Sequence, residues 1–136
     1  MDVNTKNTVK KITDIAEMAA GVNAVHSPSP SAGEKIIYRY TPGSYDGEFE
    51  TCTVTMRFIS RNISDAVKRA ECVSLALCSD DIKSALSADG TPVFVVRKQS
   101  GSSGYIGKTG HYFVIAAFEV NRRMTASSGD GTAERM

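Results

Sequence analysis

Apolar positions along this chain change period several times, and each change marks an element. From Thr5 to Ala20, Val9, Ile12, Ile15, Ala16 and Ala19 recur at three- and four-residue intervals, the spacing of one apolar stripe on a helix. Gly21 follows as a C-terminal stop, because a residue without Cβ readily takes the left-handed backbone that ends helices. In the next stretch, VHSPSPSAGE, Pro28 and Pro30 deny both helix continuation and sheet pairing. It reads as a connector. Lys35 to Thr41 then alternates, with Ile36, Tyr38 and Tyr40 on one face and Ile37 and Arg39 on the other. The segment TPGSYDGE interrupts it with the turn formers Pro42, Gly43 and Gly47. From Glu50 to Ser60, Cys52, Val54, Met56 and Phe58 alternate with Thr51, Thr53, Thr55 and Arg57. A period of two with one apolar and one polar face predicts a strand covered on a single side.

Ser64 is placed to cap a second helix, with Asp65 in its first turn complementing the helix dipole. Ala66, Val67, Ala70, Val73 and Leu77 form its expected buried stripe. A broken helical stretch, DDIKSAL, leads to a turn at Asp89-Gly90, and Pro92 opens a strand through Val96. Gln99 to Gly110 reads as a long Gly/Ser-rich loop, and His111 to Asn121 as the last strand. Its run YFVIAAF is apolar on both faces, which predicts cover on each side. The predicted order is α-β-β-α-β-β. That order fits an α+β fold with a four-stranded, mainly antiparallel sheet and two helices packed on one face. Residues 1–123 form one expected domain, and the polar residues 124–136 an expected mobile tail.

Charge and cysteine usage narrow the function classes. Sixteen basic and fifteen acidic side chains nearly cancel, whereas general nucleic-acid binding needs a clustered basic excess. No apolar run approaches the roughly 18 residues of a membrane span. The N-terminus carries charges where a signal peptide needs an apolar stretch, so neither membrane insertion nor secretion is expected. Cys52, Cys72 and Cys78 are odd in number and lack CxxC spacing, which suits buried free thiols better than disulfides or zinc.

Candidate chemistry is thin. Gly107-Lys108-Thr109 evokes a phosphate-binding loop, but GxxxxGK[ST] needs glycine where Ser102 stands, and a helix rather than a strand must follow. A thiol–imidazole pair would have to join His111 to Cys52 or Cys72 through the fold. Asp46, Glu48 and Glu50 offer three carboxylates in or beside the first hairpin loop, too few oxygens for a calcium loop of known type. Arg39, Arg57, Arg97 and Lys98, if they shared one sheet face, would make a patch for single-stranded nucleic acid that Glu119 dilutes. No catalytic, cofactor or metal site is expected.

The segment IIYRYTPGSYDGEFETCTVTMRFISRNISDAVKRAECVSLAL, with the closing strand ending FEVNRR, resembles the phage tail-terminator and minor-capsid (head-tail joining) proteins. The likeness spans roughly residues 5–123 and is one of pattern and order. It implies a structural virion protein that forms a ring, sixfold in the family. Such a ring caps the tail tube, joins it to the head connector, and meets DNA only by proximity to the channel. It also implies assembly in the host cytoplasm and residence in the tail or neck of the virion. A head-completion or neck protein is the related alternative, and a small nucleic-acid-binding module the unrelated one. Chemistry alone nominates the contact residues: Thr53, Thr55 and Arg57 on the polar strand face, Tyr45 and Tyr105 in the two loops, and Lys108 beside the latter.

Overall fold

The computed structural model describes residues 3–28, 33–45, 49–79, 93–98 and 102–123. Helix α1 (Val3–Ala20) leads into a short strand β1 (Ala24–His26), then β2 (Lys35–Tyr45) and β3 (Phe49–Ser60). Helix α2 (Ile63–Leu77) follows, and the chain returns through β4 (Val93–Lys98), β5 (Ser103–Ile106) and β6 (His111–Arg123). The strands form one six-stranded mixed sheet ordered β1-β2-β3-β6-β4, with β5 also paired to β6. Only β1 runs parallel to its neighbour; the remaining pairings are antiparallel.

The expected four long strands and two helices are present, and two short strands correct the predicted sheet. The connector supplies β1, which pairs Ala24, Val25 and His26 with Ile36, Ile37 and Tyr38. Its three residues are too few for periodicity to register. The supposed loop supplies β5, whose glycine and serine are poor strand formers by propensity. Context overrides that weakness: the Phe113 ring lies over Gly104, its cross-strand partner, where an added Cβ would stand 2.7 Å from the ring. Gly107 to Gly110 is then only a tight turn into β6, closed by the Gly110 N–H donating to the Ile106 carbonyl at 2.9 Å, with Gly110 at φ +71°.

The β2–β3 hairpin extends further than its proline and glycine suggest. Pro42 stands opposite Cys52 and Tyr45 opposite Glu50, so Gly43 and Ser44 together face Thr51. This is a β-bulge, one extra residue absorbed in β2. Gly43 fits it because a Cβ there would collide with the Thr51 carbonyl.

Both helices cover the same face of the sheet, as expected. Register puts Ile36, Phe58 and Val114 in one row and Tyr38, Met56 and Ala116 in the next. Tyr40, Val54 and Phe118 share a third, and Cys52, Val120 and Val95 a fourth. Val9, Ile12 and Ala16 of α1, with Ala66, Ala70, Val73 and Leu77 of α2, close over these rows in one apolar core. Phe58, Met56, Val54 and Phe118 are fully buried, each contributing about 1.5–3 kcal/mol of burial. Gly21 ends α1 at φ +74°, its N–H donating to the Glu17 carbonyl at 2.8 Å.

Helix α2 differs from expectation at two points. Asn62, not Ser64, is the cap: its side-chain oxygen accepts from the Ser64 N–H at 2.9 Å. Val67 is 44% exposed, and Ser74 takes the inward place instead. The Ser74 hydroxyl is satisfied there, donating to the Ala70 carbonyl and accepting from Arg97 Nη1 at 3.0 Å. The stretch 80–92, with its anticipated broken helix, the Asp89-Gly90 turn and Pro92, and the expected mobile tail at 124–136 lie outside the described residues.

Candidate functional site

The face opposite the helices carries the candidate site. Strand alternation places Ile37, Arg39 and Thr41 of β2 there, beside Thr51, Thr53, Thr55, Arg57 and Ile59 of β3. From β6 come Phe113, Ile115, Ala117, Glu119 and Asn121. No described helix packs on this side, yet Ile37, Ile59, Ala117 and His111 are buried there, so the second face of β6 is covered in part. Phe113 and Ile115 are accordingly half-buried rather than buried.

Within this face the side chains hold one another in fixed positions. Thr51 Oγ1 donates to Asn121 Oδ1 at 3.0 Å. Asn121 Nδ2 reaches the Glu119 carboxylate at 3.4 Å. The Arg57 guanidinium lies over the Phe113 ring, 5.4 Å from its centroid, a cation–π contact that orients the charge without neutralising it. Arg57 and Arg39 are both exposed. Between them a cleft of about 260 Å³ opens, walled by Ser27, Pro28, Ile37, Thr55 and Ile115. The two guanidinia meet no carboxylate among the described residues. The arrangement is a shallow, partly apolar seat with two cations at its rim.

Thr53, Thr55 and Arg57 therefore share one face as expected, and Thr53 and Thr55 are half-buried. Tyr105 does not join them. It pairs with Tyr112 in register, which assigns it to the helix-bearing side; the two rings stand 4.9 Å apart and Tyr105 is 59% exposed. Lys108 is exposed in the turn between β5 and β6. Tyr45 ends β2 opposite Glu50, at the other end of the sheet, and its side chain lies outside the described residues. The nominated residues thus divide among one face and two opposite ends. Phe113, Ile115 and Pro28 were missed. The first two were legible as one side of an apolar strand, had the open side been recognised.

The four-residue basic patch is also broken up. Arg97 falls opposite Phe118, on the helix side, where Nη1 reaches Ser74 and lies 3.6 Å from Glu71. Lys98 is placed by its backbone alone. His111 is buried, its Nε2 accepting from the Gly33 N–H at 3.1 Å. That bond assigns the imidazole proton to Nδ1, which has no partner among the described residues. Cys52 pairs with Val120, nine residues along β6 from His111, roughly 30 Å away at strand rise. The pair does not form. Burial, opposed by a hydrogen bond with Tyr40 and aided by the Glu50 charge, pushes the Cys52 thiol up to about 11. Cys72 and Cys78 are exposed, against the expectation of buried thiols. Among the described residues no cluster of three His, Cys, Asp or Glu side chains could hold a metal ion, and Asp46 and Glu48 lie outside them.

One charged cluster is structural. Glu34, just before β2, accepts from the Ser60 hydroxyl at 2.8 Å, the Arg61 N–H at 2.8 Å and Arg69 Nη1 at 2.7 Å. It ties the start of β2 to the β3–α2 turn. Partial burial opposes ionisation, but these donors outweigh it and hold the carboxyl at about 2, below its ordinary 4.5.

No family model matches the chain, and no curated protein matches it in sequence. Among solved structures, the fold is similar to that of a chain described as the virion of a native gene transfer agent particle. The TM-score is 0.54 at 13% identity, covering 86% of this chain and 92% of that one. At that identity the likeness is one of fold.

Proposed function

We propose that the chain is a structural virion protein, and within that class a tail terminator. In this role copies of the chain form a ring, a hexamer, that caps the tail tube and presents its other side to the head connector. The work is done by contact, with no bond made or broken. The observation that carries the reading is the fold shared over nearly the whole of two chains, one of them from a gene transfer agent virion. The layout agrees with it. A sheet face on which no described helix packs, with Phe113 and Ile115 half-buried and Arg39 and Arg57 exposed, offers a surface for a neighbour. A nucleic-acid module fits less well, because Arg97 faces the helices and the open face retains Glu119.

The test is reconstitution with tail-tube protein. Tubes polymerised with the chain present should end in a ring visible by electron microscopy and should be shorter than tubes grown alone. Unchanged tube lengths with bare ends would overturn the terminator role. Binding to a head connector but not to tubes would replace it with a neck role.

A further inference from the structure

We infer that the cleft between Arg39 and Arg57 is one half of a contact between copies of this chain, and that its occupant is the acidic β2–β3 loop, Asp46 and Glu48, of a second copy. The inference rests on the ring reading above and names the surface through which subunits join.

The cleft has the properties of a receptor for carboxylates. Arg39 and Arg57 are exposed and paired with no acid among the described residues, and the Phe113 ring orients the Arg57 guanidinium. A planar guanidinium suits bidentate capture of a carboxylate. Ile37, Ile115 and Pro28 give the seat apolar walls, so a docked acidic side chain would be partly shielded from water and salt. Half-buried Thr55 lines the same cleft.

The complementary charge belongs to the same hairpin but to its other end. Asp46 and Glu48 join β2 to β3 in sequence, directly after Tyr45. Glu50, the neighbouring acid, is engaged with Arg122 at 3.8 Å, which leaves Asp46 and Glu48 as the acids of the connection itself. Along β3, Arg57 stands seven residues from Glu50, roughly 23 Å at strand rise. Because β2 and β3 are paired from Lys35 to Tyr45, the described ends of the connection, Tyr45 and Phe49, are held at the far end of the hairpin from the cleft, further than the three residues linking them span. Only another copy brings the two charges together. A contact between two different surfaces of one chain is head-to-tail, and repetition of it closes a ring or runs on as a filament. With a net charge of only +1, overall attraction plays little part; the separation of charge along the hairpin supplies direction.

The test uses the full chain and two charge-reversed variants, R39E/R57E and D46K/E48K, followed by sedimentation velocity at low and high salt. Unmodified protein should sediment as oligomers at low salt and dissociate as salt rises. Each variant alone should associate about 100-fold more weakly, because like charges replace opposite ones across the contact. An equimolar mixture of the two should regain oligomers, since each then supplies what the other lacks; that recovery also shows both are folded. Oligomers in either variant equal to those of the unmodified chain would overturn this contact while leaving the ring reading standing. A mixture that stays monomeric would overturn it too, as would an unmodified chain that is monomeric at every salt. Ring formation on tail tubes, scored separately, decides the function. If R39E/R57E keeps its oligomers but loses binding to a labelled DNA single strand, the cleft takes phosphate and the inference falls.

Discussion

At the scale of single residues, Glu34 makes the sharpest prediction. Its carboxyl is held at about 2 in the folded chain against an ordinary 4.5. A depressed acid stabilises the fold above its unfolded value, and that contribution is lost as pH falls from about 4.5 towards 2. Glu34 is 40% exposed in its side chain, so solvent screening leaves its contribution modest, on the order of 1 kcal/mol. Chemical denaturation of Glu34→Gln should show lower stability than the parent at pH 7 and a gap that closes by about pH 2. The thiols make a second prediction. Iodoacetamide on native protein should modify Cys72 and Cys78 and spare Cys52 until denaturant is added, because only Cys52 is buried. Equal reaction of all three would contradict the packing around β3. Cys72 was legible and misread. The stripe Ala66, Ala70, Val73, Leu77 already turns position 72 outward, and a general preference of cysteine for interiors gave the opposite answer.

Elements were legible in proportion to their length. The eleven- to thirteen-residue strands repeat their period often enough to stand out, whereas β1 and β5 have three and four residues and depend on β2 and β6 for definition. The N-terminus of α2 shows a finer limit. Asn62 and Ser64 are both good caps, and only backbone geometry decides between them. Asn62→Ala should lower stability by about 1 kcal/mol, and Ser64→Ala should stay within about 0.5 kcal/mol, as read by thermal or urea unfolding. The bulge in β2 gives another test. Gly43→Ala drives a methyl into the Thr51 carbonyl and should cost about 1–3 kcal/mol, while Gly107→Ala, with open space around it, should fold normally. Sequence marked Gly43 as a turn; pairing continues past it because the bulge absorbs the extra residue.

For the whole molecule, the sheet order decides where stability is concentrated. β3 and β6 lie at the centre, paired over twelve positions, and β1, β4 and β5 lie at the margins. Amide hydrogen exchange should be slowest in Val54–Phe58 and Val114–Phe118, and fastest among paired strands in β1 and β5. Faster exchange in the centre than at the margins would contradict the topology. The sequence conveyed the class of fold and the helix-covered face, since both follow from periodicity within single elements. Strand order, and the lack of a described helix on the second face, depend on pairings between distant residues, which periodicity within single elements does not reveal. For the same reason Arg39 and Arg57 meet at one cleft while Arg97 turns away.

The margin formed by β4 and β5 has a further consequence. Both strands follow the same side of β6, yet four residues separate Lys98 from Ser103 where β6 advances by two between Ala117 and Val114. The outer margin of the sheet is therefore divided into a six-residue and a four-residue piece. A long straight margin would offer newly made chains a template for indiscriminate strand addition and precipitation. Division of that margin keeps this side of β6 from presenting one long edge, so a strand added there would meet two short templates whose registers do not run on from each other.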